Sequence, residues 1–122
     1  MGNTQTATSF MQMVTAGDIQ QAYREYVSDL FIHHNVYYPG DRESLLEAMI
    51  ENHEQFPNKI LDIKRTITEN DLVVVHSLIK LDAEHDGVVA VHIFRFENQQ
   101  IVELWDMTQA VDPDSPNENG LI

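Results

Sequence analysis

Asp106 is the residue of this 122-residue chain best suited to chemistry. It lies in an apolar segment, 101–109, whose alternating pattern predicts a β-strand. Side chains alternate between the two faces of a strand, so its carboxyl group shares a face with Val102, Leu104 and Thr108. A buried carboxylate must take up a proton or find a hydrogen-bond donor. The pattern therefore predicts either a general acid/base or a structural aspartate held by an amide or an arginine.

Two histidines are candidates to act together with Asp106. The first is His34: it or its neighbour His33 continues the helical spacing of an apolar stripe that includes Tyr26 and Leu30, so one of these two rings can face the sheet. His76 lies within a strand that is rich in valine. A neutral imidazole can orient a carbonyl group, pair with a carboxylate or bind a metal. The alternatives are a helix-capping role for His34 and a structural role for His76.

Helices in the first half of the chain and strands in the second half would position these residues. The spacing of apolar residues predicts three helices: a short one ending near Ala16-Gly17, one from Asp18 to Phe31, and one from Asp41 or Arg42 to Phe56. Alternation then predicts four strands, at 59–69, 72–81, 88–97 and 100–110. This order predicts an α+β fold in a single domain, 1–122, in which 111–122 is an extended C-terminal arm.

A curved sheet with helices on one face leaves a cavity between the two layers. Tyr26 and Leu30 lie on the apolar stripe of the second predicted helix, and His53 continues the stripe of the third. Leu104 shares the strand face of Asp106. We expect these four residues to bind a substrate in the cavity.

The tight turn at Asn98-Gln99 sets the expected register of the last two strands. A two-residue hairpin would place His92 opposite Trp105, on the face away from Asp106. An apolar outer face commonly forms a homodimer. We expect a homodimer through this face, which would carry His92, Phe94, Trp105 and Met107.

The net charge of −13 limits the classes of partner. Such a surface repels phosphate backbones and anionic membranes, so neither nucleic acid nor a membrane is an expected partner. It also disfavours a highly anionic substrate, unless a local positive site forms at Arg24, Arg42, Arg65 or Arg95. No apolar run is long enough to span a bilayer, and no secretory signal is visible. The absence of cysteine fits the cytoplasm, which is the expected location.

Motifs for metals and cofactors are missing from the sequence. No pair of histidines has the His-x-x-x-His spacing of a zinc site, and the adjacent His33 and His34 point in different directions. The five glycines are scattered, so there is no phosphate-binding loop, and no Gly-x-Ser-x-Gly motif is present. We expect neither a metal nor a cofactor.

Several runs occur in a particular order and spacing: Phe-Ile-His-His-Asn at 31–35, Ile-Lys-Arg at 63–65, Asn-Asp-Leu-Val-Val-Val-His at 70–76, Ile-Phe-Arg-Phe-Glu-Asn at 93–98, Ile-Val-Glu at 101–103, Trp-Asp at 105–106 and Gln109. Together they resemble the SnoaL-like polyketide cyclase family, over most of the chain from about Val14 onward. The segment from Ser115 to Gly120 also resembles a predicted aldol-condensing branch of that family.

The resemblance implies the nuclear-transport-factor-2-like fold, a cone of three N-terminal helices packed on a curved antiparallel sheet. It also implies acid/base chemistry without a cofactor, in which an aspartate at position 106 is the general acid/base of an aldol closure. The histidine at position 34 belongs to a recurrent family motif. The chain departs from the family pattern at Leu104, where a histidine is common, and at His92, where an aspartate is frequent.

We therefore expect a cofactor-free acid/base enzyme that acts on a small apolar carbonyl compound. Asp106 would remove a proton beside the carbonyl group, and His34 or His76 would polarise that group. The reaction would be aldol condensation, cyclisation or isomerisation. The alternative is a non-catalytic small-molecule-binding or dimeric scaffold protein of the same fold.

Overall fold

Two helices, one strand, a third helix and four further strands follow one another along the chain, so the order matches the prediction except for the early strand. The computed structural model describes every residue from Met1 to Ile122. The helices are α1 (Asn3–Ala16), α2 (Ile19–Tyr26) and α3 (Arg42–Gln55). The strands are β1 (Val27–His33), β2 (Ile60–Glu69), β3 (Leu72–Lys80), β4 (Val88–Glu97) and β5 (Gln100–Ala110). Residues 111–122 contain turns but no helix or strand.

The five strands form one sheet in the order β1-β5-β4-β3-β2. Strands β2 to β5 are an antiparallel meander, and β1 pairs with β5 in parallel at one edge. The helices pack on one face of the sheet, where Phe10 of α1 contacts Phe94 of β4 with ring centroids 5.9 Å apart. We call this the inner face, and it carries Val75, His92, Phe94, Leu104 and Asp106. The predicted α+β architecture is confirmed.

The second helix is shorter than predicted, because its expected last five residues, 27–31, belong to β1 instead. This segment contains β-branched and aromatic residues, which favour strands, and it can pair with the free edge of β5. Val27 and Phe31 are buried against the helices, whereas the Leu30 side chain is 84% exposed. The prediction that Leu30 lines the cavity is therefore wrong.

A bulge in β5 changes the register that the turn predicts. Asn98 and Gln99 form the expected two-residue turn, with φ of 50° and 67°. Phe96 pairs with Ile101, but Arg95 pairs with Glu103, so Val102 is an extra residue in β5.

His92 consequently lies opposite Asp106 on the inner face rather than opposite Trp105. Phe94 also lies on the inner face, where it is completely buried. The prediction that these two residues belong to the outer face is wrong, because an extra residue reverses the face of every residue beyond it.

Side-chain contacts fix the junctions before α2 and α3. Gly17 ends α1 with φ of 98°, in the left-handed region that favours glycine, and the His53 ring of α3 packs directly against it. Asp41 caps α3, where its carboxylate accepts hydrogen bonds from Ser44 N at 3.0 Å and Ser44 Oγ at 2.7 Å. None of the three helices has the length and apolar character needed to cross a membrane.

Candidate functional site

A cavity of about 140 Å³ lies between the helices and the inner face of the sheet. Eight of its thirteen lining residues are hydrophobic. Leu104 and Asp106 both line it. The other polar or ionisable side chains in its wall are Thr15, Tyr23, Asn52, Lys59 and His92.

Asp106 is held by an asparagine that follows β1. Asn35 Nδ2 donates a hydrogen bond of 2.9 Å to Asp106 Oδ2, and no other hydrogen bond within the chain reaches this carboxylate. Asn35 is itself held in place, because its Oδ1 accepts from Tyr37 N at 3.0 Å and its backbone N–H donates to His33 Nδ1 at 3.1 Å. The second carboxylate oxygen thus has no donor in the protein, and it belongs to a group in the cavity wall.

His92 is the histidine that the fold brings to Asp106. The two residues pair across β4 and β5, and both line the cavity. Burial lowers the pKa of His92, and the nearby Asp106 carboxylate opposes that effect only in part. The Nδ1 atom is buried and has no hydrogen-bond partner. The imidazole is therefore neutral at neutral pH, and its Nδ1 atom is left unpaired within the cavity wall.

Tyr23 brings a hydroxyl group to the same cavity from α2. Its OH is buried and has no hydrogen-bond partner in the protein. Burial raises the pKa of this phenol far above its usual range, although the Arg42 guanidinium beside the ring acts against the shift. The hydroxyl group remains protonated, so it is a free hydrogen-bond donor inside a mainly apolar wall.

The structure does not bring the other two predicted catalytic residues to Asp106. His34 lies on the opposite side of the sheet, where its ring stacks on Trp105 at 5.0 Å and its Nε2 is 2.7 Å from Glu103 Oε2. His76 lies on that side as well, and its Nδ1 contacts the guanidinium of Arg65. Neither residue lines the cavity.

Two of the predicted substrate-binding residues also lie outside the cavity wall. Tyr26 packs against the edge of the hydrophobic core. Tyr23, one turn earlier in α2, lines the cavity where we expected Tyr26. His53 lines a separate, shallow depression beside Gly17 and Asp18.

Sequence reasoning missed Asn35, Tyr23 and His92 as site residues. Tyr23 lies on the apolar stripe of α2, but helical spacing continued through residues 27–33, which form β1, points to Tyr26 and Leu30 instead. Nothing local in the sequence identifies Asn35, because its contact with Asp106 joins residues 71 positions apart.

No protein-family model and no curated protein matches the sequence. Solved structures match its fold at low sequence identity. IdmH from Streptomyces antibioticus, described as a proposed polyketide cyclase, is 17% identical with a TM-score of 0.75, over 89% of this chain and 93% of IdmH. A proposed SnoaL-like polyketide cyclase from Shewanella putrefaciens is 17% identical with a TM-score of 0.70, over 88% of this chain and 80% of that one.

A third structure extends the comparison beyond proteins named as cyclases. An NTF2-like protein of unknown function from Cytophaga hutchinsonii is 18% identical with a TM-score of 0.67, over 88% of this chain and 100% of that one. Similarity at this level of identity concerns the fold alone. The chain has the nuclear-transport-factor-2-like fold that its resemblance to SnoaL-like cyclases implies.

Proposed function

We propose that the cavity binds a small apolar carbonyl compound and that Asp106 is the general base and acid of a cofactor-free reaction on it. The reaction class is aldol condensation, cyclisation or isomerisation. One observation carries the proposal: a carboxylate with a single hydrogen bond lies in the wall of a mainly apolar cavity. A carboxylate placed beside a bound carbonyl compound can accept a proton from the carbon next to the carbonyl group and return it.

The other polar groups of the cavity fit this chemistry. When Asp106 removes a proton from the carbon beside the carbonyl group, negative charge develops on the carbonyl oxygen. The protonated Tyr23 hydroxyl is a donor for that oxygen, because it has no partner of its own. Return of the proton from Asp106 to a different carbon completes an isomerisation. In an aldol step the enolate carbon attacks a second carbonyl group, and the alkoxide that forms there takes up the proton from Asp106.

The cavity volume limits the size of the ligand. An apolar protein cavity of about 150 Å³ holds one benzene molecule. The space of about 140 Å³ therefore suits a compound with roughly one six-membered ring or a short chain. This size supports a small substrate and argues against a fused polycyclic one.

Hydrogen–deuterium exchange beside a carbonyl group tests the proposal without knowledge of the substrate. We expect the protein to accelerate exchange at the α-carbons of cyclohexanone in D₂O, followed by NMR. Asp106→Asn should reduce the acceleration about 100-fold or more, with an unchanged circular dichroism spectrum, since the new amide oxygen can still accept from Asn35. The matched control is Asp29→Asn, which changes an exposed aspartate away from the cavity. Equal exchange rates in the wild type and Asp106→Asn would refute the proposal.

A binding protein without turnover is the second candidate function. The bond from Asn35 to Asp106 favours it, because this contact also gives the carboxylate a structural role. Leu104 beside Asp106 favours it too, since a histidine is common there in the resembling family. In that case cyclohexanone binds but exchanges at the rate of free solution.

We also propose that the protein forms a homodimer through the outer face of the sheet. This face carries Val74, Val91, Ile93, Trp105 and Met107 and has no helix packed on it. Met107 is 55% exposed in the single chain. A second copy would cover these apolar side chains. The cytoplasm remains the proposed location, on the absence of cysteine.

A further inference from the structure

Lys59 is the only Lys or Arg side chain in the cavity wall, and no carboxylate pairs with it. It directly precedes β2 and is partly buried. Its Nζ donates a hydrogen bond of 2.6 Å to Asn52 Oδ1, a neutral acceptor. All five ion pairs of the chain involve other residues. In a chain with 20 Asp and Glu and 7 Lys and Arg, a partly buried ammonium group without an acidic partner requires an explanation.

The position of Lys59 relative to Asp106 explains why this ammonium group has no acidic partner within the chain. Asp106 is on β5 and Lys59 is at the start of β2, with β4 and β3 between them in the sheet. The side chains of Ile79 and His92 line the cavity from those two intervening strands. A molecule that fills the cavity thus meets a carboxylate from β5 and an ammonium group from the beginning of β2.

The ammonium group has hydrogen-bonding capacity to spare. A lysine ammonium carries three N–H donors, and Asn52 uses one of them. Burial lowers the pKa of Lys59, so an anion in contact with Nζ would stabilise the charged form that burial opposes. Hydrogen bonds between an ammonium group and a carboxylate are roughly twice as strong as neutral ones.

We propose that the ligand is a small oxo acid, with one carboxylate that binds Lys59 and a carbonyl group that faces Asp106. This inference rests on the proposed ligand-binding function and narrows its carbonyl compound to one that is apolar except for a single carboxylate. Binding the carboxylate at Lys59 would hold the carbon beside the carbonyl group near Asp106, so Lys59 would orient the substrate for proton removal.

The acidity of the whole protein is compatible with a singly charged ligand. Repulsion from exposed carboxylates is screened beyond about 10 Å at 0.1 M salt, whereas a contact with Lys59 is direct and partly shielded from solvent. Each additional negative charge adds repulsion without adding a second cation, because the cavity wall has no other. The site therefore selects a monocarboxylate over a phosphate ester or a tricarboxylate.

Benzoate and benzamide test the inference, since they share one ring and nearly the same shape but differ in charge. We expect isothermal titration to show that the wild type binds benzoate at least tenfold more tightly than benzamide. Lys59→Met should abolish the preference for benzoate and keep benzamide binding. Lys59→Arg, which retains a positive charge, should keep most of the preference for benzoate. The matched control is Lys64→Met, which removes an exposed lysine of β2 that pairs with Asp62, and it should retain the preference.

Each of the other possible results contradicts a particular part of the proposal. Equal binding of benzoate and benzamide to the wild type would overturn the oxo-acid assignment and leave the cavity as a binding site. Binding of neither compound would overturn this assignment together with the proposed function. A preference that survives in Lys59→Met would place the anion elsewhere. A mass increase on Lys59 after borohydride treatment with cyclohexanone would reveal an imine, and it would replace the anion-binding role by a covalent one.

Discussion

Asp106 and Tyr23 are two ionisable groups in the wall of the same cavity. The carboxylate has one donor, Asn35, and the phenol has no partner at all. The Asp106 charge also contributes to the raised pKa of Tyr23, because a second negative charge nearby is unfavourable. One group is therefore suited to accept a proton while the other donates a hydrogen bond, as enolate chemistry requires.

Removal of the Tyr23 hydroxyl should separate catalysis from stability. We expect Tyr23→Phe to lower the rate of α-proton exchange about 10-fold or more, because the developing oxyanion loses its donor. Stability in urea should stay equal or rise slightly, since a buried hydroxyl without a partner is removed.

Tyr26→Phe is the matched control, because Tyr26 packs at the edge of the core and does not line the cavity. It should leave the exchange rate unchanged. If both variants exchange protons equally fast, Tyr23 has no part in the reaction.

At the scale of elements, the junction between α1 and α2 positions Tyr23. Gly17 has φ of 98°, and its N–H donates to Val14 O at 3.2 Å, which ends α1. The His53 ring fills the space where a Cβ atom at residue 17 would lie. A side chain at this position therefore meets both backbone strain and a steric clash.

Gly17→Ala should destabilise the protein by about 1 kcal/mol or more, because alanine is unfavourable at positive φ. Urea denaturation monitored by Trp105 fluorescence measures the effect. Gly2→Ala is the matched control: Gly2 has φ of −74°, and a Cβ atom there would contact nothing within 4 Å. Equal midpoints for the two variants would show that the junction tolerates a side chain.

For the whole molecule, the two faces of the sheet carry different sets of side chains. The inner face carries the cavity, and the outer face carries apolar side chains together with an ion-pair network. Glu103 accepts from Arg95 Nε at 2.9 Å and lies 2.7 Å from His34 Nε2. These contacts lower the pKa of Glu103, with His34 as the main cause, so the carboxylate stays charged beside Trp105. The predicted catalytic histidine thus belongs to the proposed subunit interface.

Met107→Lys should convert the proposed dimer to a monomer, because it places a charge among apolar side chains that a second copy would cover. Sedimentation velocity measures the change. Leu30→Lys alters an equally apolar and more exposed residue on the edge strand β1, and it should leave the dimer intact. A wild-type protein that sediments as a monomer would contradict the proposed interface.

The sequence by itself determined the three helices, the four strands that follow the third helix, the bounds of β4 and β5, the turn at Asn98-Gln99 and the inward position of Asp106. These features follow from local periodicity and turn chemistry, which a single chain segment expresses without its neighbours.

Only the tertiary structure decided which groups meet Asp106. The pairing of β1 with the edge of β5 overrode the helical spacing of residues 27–33, and it brought Asn35 to the carboxylate. The bulge at Val102 brought His92 to the inner face. A strand has a side-chain period of two, so one inserted residue reverses every later position, and periodicity alone gives no sign of it.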